Sequence, residues 1–254
     1  MNSNSLRAFT STAAQRFTST CISVKQFIDL KVYRAVLEQL QSNESARSAI
    51  SSPMFSEGSI ESLWNAWISR PHRRKIDHFQ PLGSLAEISG GDEKQYWYAF
   101  PGQKQYHIIE AQPPQGDESS APWPFFRTWL PPVIAELLDP SFIWEEPEGY
   151  SSDPVISPVR STVLLGRDAI IASLEVTDWM TRGVGWSETI FPADRYELVI
   201  DKATGILISV QCLVQSQRVS MCSVESLSLD IAIRPEFFKA YNWVGSDWED
   251  SQNP

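Results

Sequence analysis

The sequence predicts a mainly β protein of the α+β class, built from antiparallel hairpins. The clearest sign is residues 194–210, where two segments of alternating apolar and polar residues flank the polar loop 201–205, as a β-hairpin requires. Gly205 can adopt a positive φ without a Cβ clash, so a type I turn followed by a left-handed glycine is expected there. A second hairpin follows at once, with strands over 205–214 and 219–231 joined by residues 215–218.

The apolar pattern also predicts the register of this second hairpin. Matching the apolar faces pairs Val214 with Val219 and Cys212 with Met221, so that Cys222 points through the other face of the sheet. The chain's 3 cysteines are too few and too unevenly spaced for a disulfide scaffold or a zinc site. We therefore expect reduced thiols and no bond between Cys212 and Cys222.

Length, charge and the N-terminal composition narrow the class of protein. A chain of 254 residues with 42% hydrophobic content can bury a full core as one domain. Its net charge of −10 repels phosphate backbones, so nucleic acid is not expected as a partner. Residues 1–23 are rich in Ser and Thr and are expected to be a flexible N-terminus, a transit-peptide composition being the alternative. No secretory signal and no membrane-spanning segment are predicted, and the expected location is the cytoplasm.

The remaining elements can be placed in chain order. Ser23 can cap a helix over 24–41, on which apolar residues fall at helical spacing. Residues 59–68 are predicted as a strand, with a short helix as the alternative, and a proline pair favours a short helix over 131–139. A single domain is expected over 24–241, with its sheet over 59–240, followed by an acidic disordered tail over 242–254. The further predicted strands lie at 73–80, 82–89, 94–100, 104–111, 161–165 and 169–179.

Three segments give the chain a resemblance to a known family. They are residues 91–98 (Gly-Asp-Glu-Lys-Gln-Tyr-Trp-Tyr), residues 166–169 (Gly-Arg-Asp-Ala), and residues 195–201 continued by Thr-Gly-Ile-Leu at 204–207. With the order of elements, these segments resemble the LolA-like and RseB-like family, which includes lipoprotein carriers. The resemblance covers residues 59–238 and implies a curved, unclosed antiparallel β half-barrel with a few helices packed on its concave side.

Such a half-barrel offers an apolar hollow that helices or a greasy ligand must cover. The resemblance and the 10 tryptophans of the chain together predict a non-enzymatic protein that binds a hydrophobic small molecule or an acyl chain. Aromatic rings combine a large apolar area with a polar atom, which suits the border of a lipid pocket. The predicted ligand-lining residues are Trp64, Trp67, Trp97, Tyr98, Trp129 and Trp179.

The alternative function is that of a protein-interaction or regulatory module that uses the same concave face or the basic run over 70–75. The only dense basic run in the chain could contact an acidic partner protein, although an exposed strand start blunted by charge explains such a run equally well. This run consists of Arg70, Arg73, Arg74 and Lys75. The spacing of His72, His78 and His107 predicts no metal site. No catalytic residues and no cofactor are predicted, because no nucleophile, paired acid and base, or phosphate loop can be assembled.

Overall fold

The computed structural model describes residues 3–39, 58–70, 73–80, 83–92, 94–110, 130–140, 155–156, 160–175 and 193–250. Within these ranges the α-helices are α1 (Ser3–Thr10), α2 (Leu30–Gln39) and α3 (Pro132–Leu138). Short 3-10 helices occur at Ala13–Arg16, Pro101–Gln103, Pro235–Phe238 and Ala240–Asn242. The strands are β1 (Ser19–Asp29), β2 (Ser59–Ser69), β3 (Arg73–Phe79), β4 (Leu85–Gly91), β5 (Gln95–Phe100), β6 (Gln105–Glu110), β7 (Val155–Ile156), β8 (Arg160–Leu164), β9 (Arg167–Glu175), β10 (Arg195–Asp201), β11 (Leu207–Val214), β12 (Gln217–Leu229) and β13 (Glu249–Asp250).

The strands pair in the order β13-β6-β5-β4-β3-β2-β1-β12-β11-β10-β9-β7, and β8 also pairs with β9. β2 to β6 form an antiparallel meander, as do β9 to β12 apart from the connection that precedes β10. β13 joins β6 in parallel. The predicted fold class, mainly β with an unclosed antiparallel sheet and few helices, is confirmed for the part of the chain that the structure describes.

The chain forms two compact units where the sequence predicted one domain over 24–241. Unit 1 gathers residues 1–16, 26–61 and 125–224, and unit 2 gathers residues 17–25, 62–124 and 225–254. Chains of about 250 residues lie near the size at which a single core stops growing. Each unit accordingly has apolar packing of its own, on α3 in unit 1 and on Trp97 in unit 2.

The core of unit 1 lies on one face of β9 to β12. Cross-strand pairing places Leu174, Tyr196 and Cys212 in one row of that face, and all three are buried. α3 packs against β11. As predicted, this helix begins at a proline pair, whose fixed φ suits a first turn. Its buried apolar side chains are Val133, Ile134, Ala135, Leu137 and Leu138.

The turn between β10 and β11 has the predicted conformation. Gly205 has a φ of 81°, and its N–H donates to the carbonyl oxygen of Asp201 at 2.8 Å. The Asp201 carboxylate accepts hydrogen bonds from the Arg167 Nε–H at 2.9 Å and the Thr204 backbone N–H at 3.0 Å. Burial opposes ionisation of Asp201, but these hydrogen bonds outweigh it and hold its pKa below the ordinary value.

The expectation of a flexible N-terminus over 1–23 is wrong for the described residues. α1 and the following 3-10 helix bury Leu6, Ala13 and Ala14. The carbonyl oxygen of Phe9 lies 2.9 Å from the position that a Cβ on Gly205 would take. Sparse charge and many Ser and Thr residues suggested a loose segment, yet a few small apolar side chains are enough to dock it in unit 1.

The expected helix over 24–41 is also wrong, because residues 19–29 form β1 and α2 occupies only Leu30–Gln39. In β1, the buried Thr20, Ile22 and Val24 alternate with more exposed residues, which is strand periodicity. The helix is capped by Asp29 in place of Ser23, since the Asp29 carboxylate accepts a hydrogen bond from the Val32 N–H at 3.0 Å.

The register predicted for the second hairpin is wrong as well. Its turn is a two-residue one in which Gln215 and Ser216 both have positive φ, 50° and 66°, as in a type I′ turn. A bulge after Cys212 then pairs Cys212 with Ser220 and Val210 with Cys222. Both cysteines therefore lie on the same buried face. Cys222 does not point through the opposite face.

The C-terminal residues up to 250 are ordered, contrary to the expected disordered tail over 242–254. Trp243 and Trp248 pack against the cluster of Ile88, Trp97 and Ala99 in unit 2. β13 extends the sheet of this unit. Residues 251–254 lie outside the described residues. The acidic composition suggested a solvated tail. The packing of Trp243 and Trp248 against the cluster outweighs the tendency of the acidic residues to stay in solvent.

Gly90 offers a direct test of the packing in unit 2. A Cβ at this position would lie 2.6 Å from Cζ2 of Trp97 and 2.9 Å from the carbonyl oxygen of Arg74. We expect Gly90→Ala to lower the free energy of unfolding by about 1–3 kcal/mol, because the overpacked strand must shift. Gly102→Ala is the matched control, since no atom lies within 4 Å of its added Cβ. Urea unfolding followed by tryptophan fluorescence measures both, and equal stabilities would contradict this packing.

Candidate functional site

The aromatic residues of unit 2 are divided between the two faces of its sheet. Trp67, Lys75, Gly90 and Trp97 are successive cross-strand partners on β2, β3, β4 and β5, so they share one face. We call this face the covered face. Since side chains alternate along a strand, the even-numbered residues of β2, β3 and β5 lie on the opposite face. We call this second face the aromatic face. It carries Trp64, Ala66, Arg74, Ile76, His78, Tyr96, Tyr98 and Phe100, together with their cross-strand partners Glu87, Ser89 and His107.

The covered face is filled by the chain itself. The Lys75 ammonium lies 4.4 Å from the Trp67 ring centroid and 3.8 Å from that of Trp243, and it forms a salt bridge with Asp77. The Nε1–H of Trp97, a residue only 1% exposed, donates to the carbonyl oxygen of Phe238 at 2.8 Å. The predicted ligand-lining residues Trp67 and Trp97 are therefore packed against other parts of unit 2.

The basic run predicted to contact a partner does not form an exposed patch. Lys75 is 1% exposed and Arg74 is 6% exposed, while Arg70 and Arg73 are half-buried. Consecutive strand residues point to opposite faces, so Lys75 enters the covered face and Arg74 the aromatic face. Burial lowers the pKa of Lys75, an effect that Asp77 opposes. β3 is an internal strand, and the idea of an exposed strand start blunted by charge does not apply to it.

The aromatic face carries two groups of rings. On one side, Trp64 stacks on His78 with ring centroids 3.7 Å apart and planes at 6°. On the other side, the centroid of Tyr98 lies 5.6 Å from that of Phe100 and 4.7 Å from that of His107. All five of these side chains are half-buried.

Smaller side chains lie beside the rings on this face. Ala66, Ile76 and Ser89 form one cross-strand row that continues to Tyr98. These three side chains are buried, so the half-buried rings provide the accessible apolar contact for a narrow, flexible chain. Tyr96 extends the aromatic group toward the next row, where the Arg74 guanidinium lies 4.6 Å from its ring centroid.

Burial disfavours the charged forms of the titratable groups on this face. It lowers the pKa of His78 and of Arg74, although Tyr96 and Glu87 oppose the effect on Arg74. Burial also raises the pKa of Glu87, an effect that the nearby Arg74 opposes. The Trp64 Nε1–H is buried, and the described residues place no hydrogen-bond acceptor beside it. The surroundings thus favour apolar contact over strong charge recognition.

Other predicted features have the following positions. Trp129, Trp179 and His72 lie outside the described residues. In the part of the chain that the structure describes, there is no group of three or more His, Cys, Asp or Glu side chains arranged to hold a metal ion. Among the helices so described, none is both long enough and apolar enough to cross a bilayer.

Sequence reasoning missed most of the aromatic face. It named Trp64 and Tyr98, but not their neighbours His78, Tyr96 and Phe100. The usable signal was the alternation within β5, where every second residue from Tyr96 to Phe100 is aromatic. Only the register with β3 and β4 shows that His78 stacks on Trp64 and that β4 separates the two groups of rings.

Comparison with known proteins gave likenesses of structure only. No protein-family model matches the sequence, and no curated protein matches it. One similar solved structure is an uncharacterised conserved protein from Thermus thermophilus, with 9% identity, a TM-score of 0.45 and 98% of each chain covered. Another is the MucA/MucB complex of Pseudomonas aeruginosa, with 13% identity, a TM-score of 0.45, and 93% of this chain but 61% of that chain covered. A LolA superfamily protein from Nitrosomonas europaea has 9% identity, a TM-score of 0.33, and 95% of this chain and 99% of that chain covered.

The lowered pKa of His78 predicts a pH dependence of stability. The unfolded chain takes up a proton near the ordinary value of 6.5, whereas folded His78 resists protonation. This contribution to stability is therefore complete above about pH 6.5 and is lost as the pH falls below it. We expect wild-type protein to lose more stability than His78→Phe, which retains a ring on Trp64, between about pH 7.5 and 5.5.

Urea unfolding at the two pH values measures this difference. If His78→Phe loses as much stability as the wild type on acidification, burial of His78 is not the cause.

Proposed function

We propose that this protein is a non-enzymatic binding protein that holds a hydrophobic or lipid-like ligand, such as an acyl chain, on the aromatic face of unit 2. The observation that carries the proposal is the presence of half-buried rings on one face of the sheet, with Trp64 and His78 on β2 and β3 and with Tyr98 and Phe100 on β5. The sequence placed the ligand in the hollow of a half-barrel. The proposal narrows that site to one face and to Trp64 and Tyr98 among the predicted residues.

The chemistry of the face matches an apolar chain better than a charged one. Each methylene group removed from water contributes about 0.8 kcal/mol, so affinity is expected to rise with chain length. Aromatic rings add dispersion contacts without requiring a directed hydrogen bond. Burial lowers the pKa of His78 and raises the pKa of Glu87, so both shifts are toward the neutral forms.

The alternative of a protein-interaction module loses one of its two predicted surfaces, the basic run. Two members of the basic run, Arg74 and Lys75, are buried within unit 2. Neither side chain is accessible to a partner protein. We therefore propose ligand binding as the function and place no partner protein at this run.

The proposal is tested by titrating delipidated protein with anthroyloxy-labelled stearate and following probe fluorescence. We expect saturable binding by the wild type. Trp64→Ala and Tyr98→Ser are each expected to weaken it at least about tenfold, equivalent to about 1.4 kcal/mol, because each removes a ring from one of the two groups. Tyr241→Ser is the matched control, since Tyr241 is 70% exposed and should bind as the wild type does.

Two outcomes would contradict the proposal. The first is the absence of saturable binding by folded wild-type protein. The second is unchanged affinity in both Trp64→Ala and Tyr98→Ser when near-ultraviolet circular dichroism shows that both variants are folded, which would place any binding elsewhere.

A further inference from the structure

The covered face of unit 2 has an occupant from the same chain. Residues 235–250, which we call the C-terminal strap, comprise two short 3-10 helices and β13. Hydrogen bonds within the strap are local, such as those from the Phe237 N–H to the Arg234 carbonyl and from the Trp243 N–H to the Ala240 carbonyl. Helices of this kind have little stability of their own. The strap is therefore held in place by its contacts with the sheet.

Two of these contacts lie at the centre of the face. Trp97 donates its indole N–H to the main-chain carbonyl of Phe238, and the Trp243 ring covers the ammonium of Lys75. A buried cation is attracted by the negative face of an aromatic ring. The face thus recognises a main-chain acceptor and, separately, an electron-rich ring.

Two further contacts are ionic and lie toward the edges. Lys239 of the strap pairs with Asp92, whose carboxylate also accepts hydrogen bonds from the backbone N–H groups of Lys94 and Gln95. Asp247 of the strap pairs with Lys104 at 2.7 Å, where both side chains are exposed. The exposed pair contributes little, so the Asp92 site is the more selective of the two.

Burial is unequal on the two sides of this contact. Lys75 and Trp97 are each 1% exposed. Most strap residues remain half-exposed or exposed, and Phe238 is the buried one among residues 235–250. The strap therefore buries the central side chains of the sheet face, whereas the sheet leaves most of the strap accessible to solvent.

We propose that the covered face is a recognition surface for a peptide segment of aromatic and lysine residues, and that the C-terminal strap is its resident, displaceable occupant. The segment it fits has two aromatic residues, then lysine, then a tryptophan four residues later, as in Phe237, Phe238, Lys239 and Trp243. Trp67 contributes by packing on Phe237, with centroids 5.6 Å apart. This surface is distinct from the aromatic face and differs from it in ligand chemistry.

The first test is hydrogen exchange of the wild-type protein, read by mass spectrometry. A displaceable strap opens without unfolding of the sheet, so amides of residues 240–250 are expected to exchange at least about tenfold faster than those of β3 to β5. Exchange of the strap and of these strands in one cooperative event would overturn the proposal, because the strap would then be an inseparable part of the core.

The second test asks whether the vacated face binds the stated chemistry. Trp243→Ala removes the ring over Lys75, and Tyr241→Ala is the control because Tyr241 is largely exposed. A fluorescein-labelled peptide with the sequence of residues 234–250 is titrated into each full-length protein. We expect binding to Trp243→Ala to be at least about tenfold tighter than to the wild type or the control.

Equal peptide binding by all three proteins, or none by a folded Trp243→Ala variant, would overturn the proposal. If Trp243→Ala fails to fold, the exchange experiment on the wild type decides alone. Displacement of anthroyloxy-labelled stearate by the peptide would also count against it, since the two ligands are assigned to opposite faces.

Discussion

The packing of Trp97 over Gly90 fixes the arrangement on which the rest of unit 2 depends. No side chain larger than hydrogen fits at Gly90, because the indole occupies the space where a Cβ would lie. This contact pins β4 to β5 and, through the pairing of Gly90 with Lys75 and of Lys75 with Trp67, sets the facing of β2 and β3. A slip of one residue would exchange the two faces of every strand involved. The division between the covered face and the aromatic face therefore follows from one close approach.

Buried cations are the second consequence of this division. Two adjacent basic residues within one internal strand must enter opposite faces, and both side chains are buried there. Lys75 is stabilised by Asp77 and by the rings of Trp67 and Trp243, and Arg74 by the ring of Tyr96. Such pairs are costly to break because a lone buried charge remains. In the sequence the basic run looks like a surface feature. In the structure, Lys75 and Arg74 contact rings on the covered face and on the aromatic face of unit 2, respectively.

Local patterns predicted the strands well. β2 to β6 begin and end within three residues of the predicted strands, and the turn at Gly205 has the expected positive φ. These features depend on alternation and on glycine, which are local properties. The turn at Gln215 and Ser216 could not be predicted in the same way, because neither residue is among those that favour positive φ. Because this turn was not predicted, the predicted register of the following strand was wrong, and so was the predicted face of Cys222.

The site was less predictable than the strands for a related reason. Aromatic residues can be counted in a sequence, but which of them share a face depends on pairing between strands far apart in the chain. Trp67 and Trp97 looked equivalent to Trp64 and Tyr98 until the pairing of β2 to β5 separated them. The strap was missed because its acidic composition concealed the anchoring role of Trp243.

The central claim is that an apolar ligand meets the aromatic face and leaves the covered face unchanged. The most direct measurement is a two-dimensional nitrogen–proton NMR titration of the tryptophan indole signals with dodecanoate, assigned with Trp64→Phe and Trp97→Phe. The account predicts a saturable shift of the Trp64 signal while the Trp97 signal stays in place. Movement of the Trp97 signal with an unmoved Trp64 signal would contradict it.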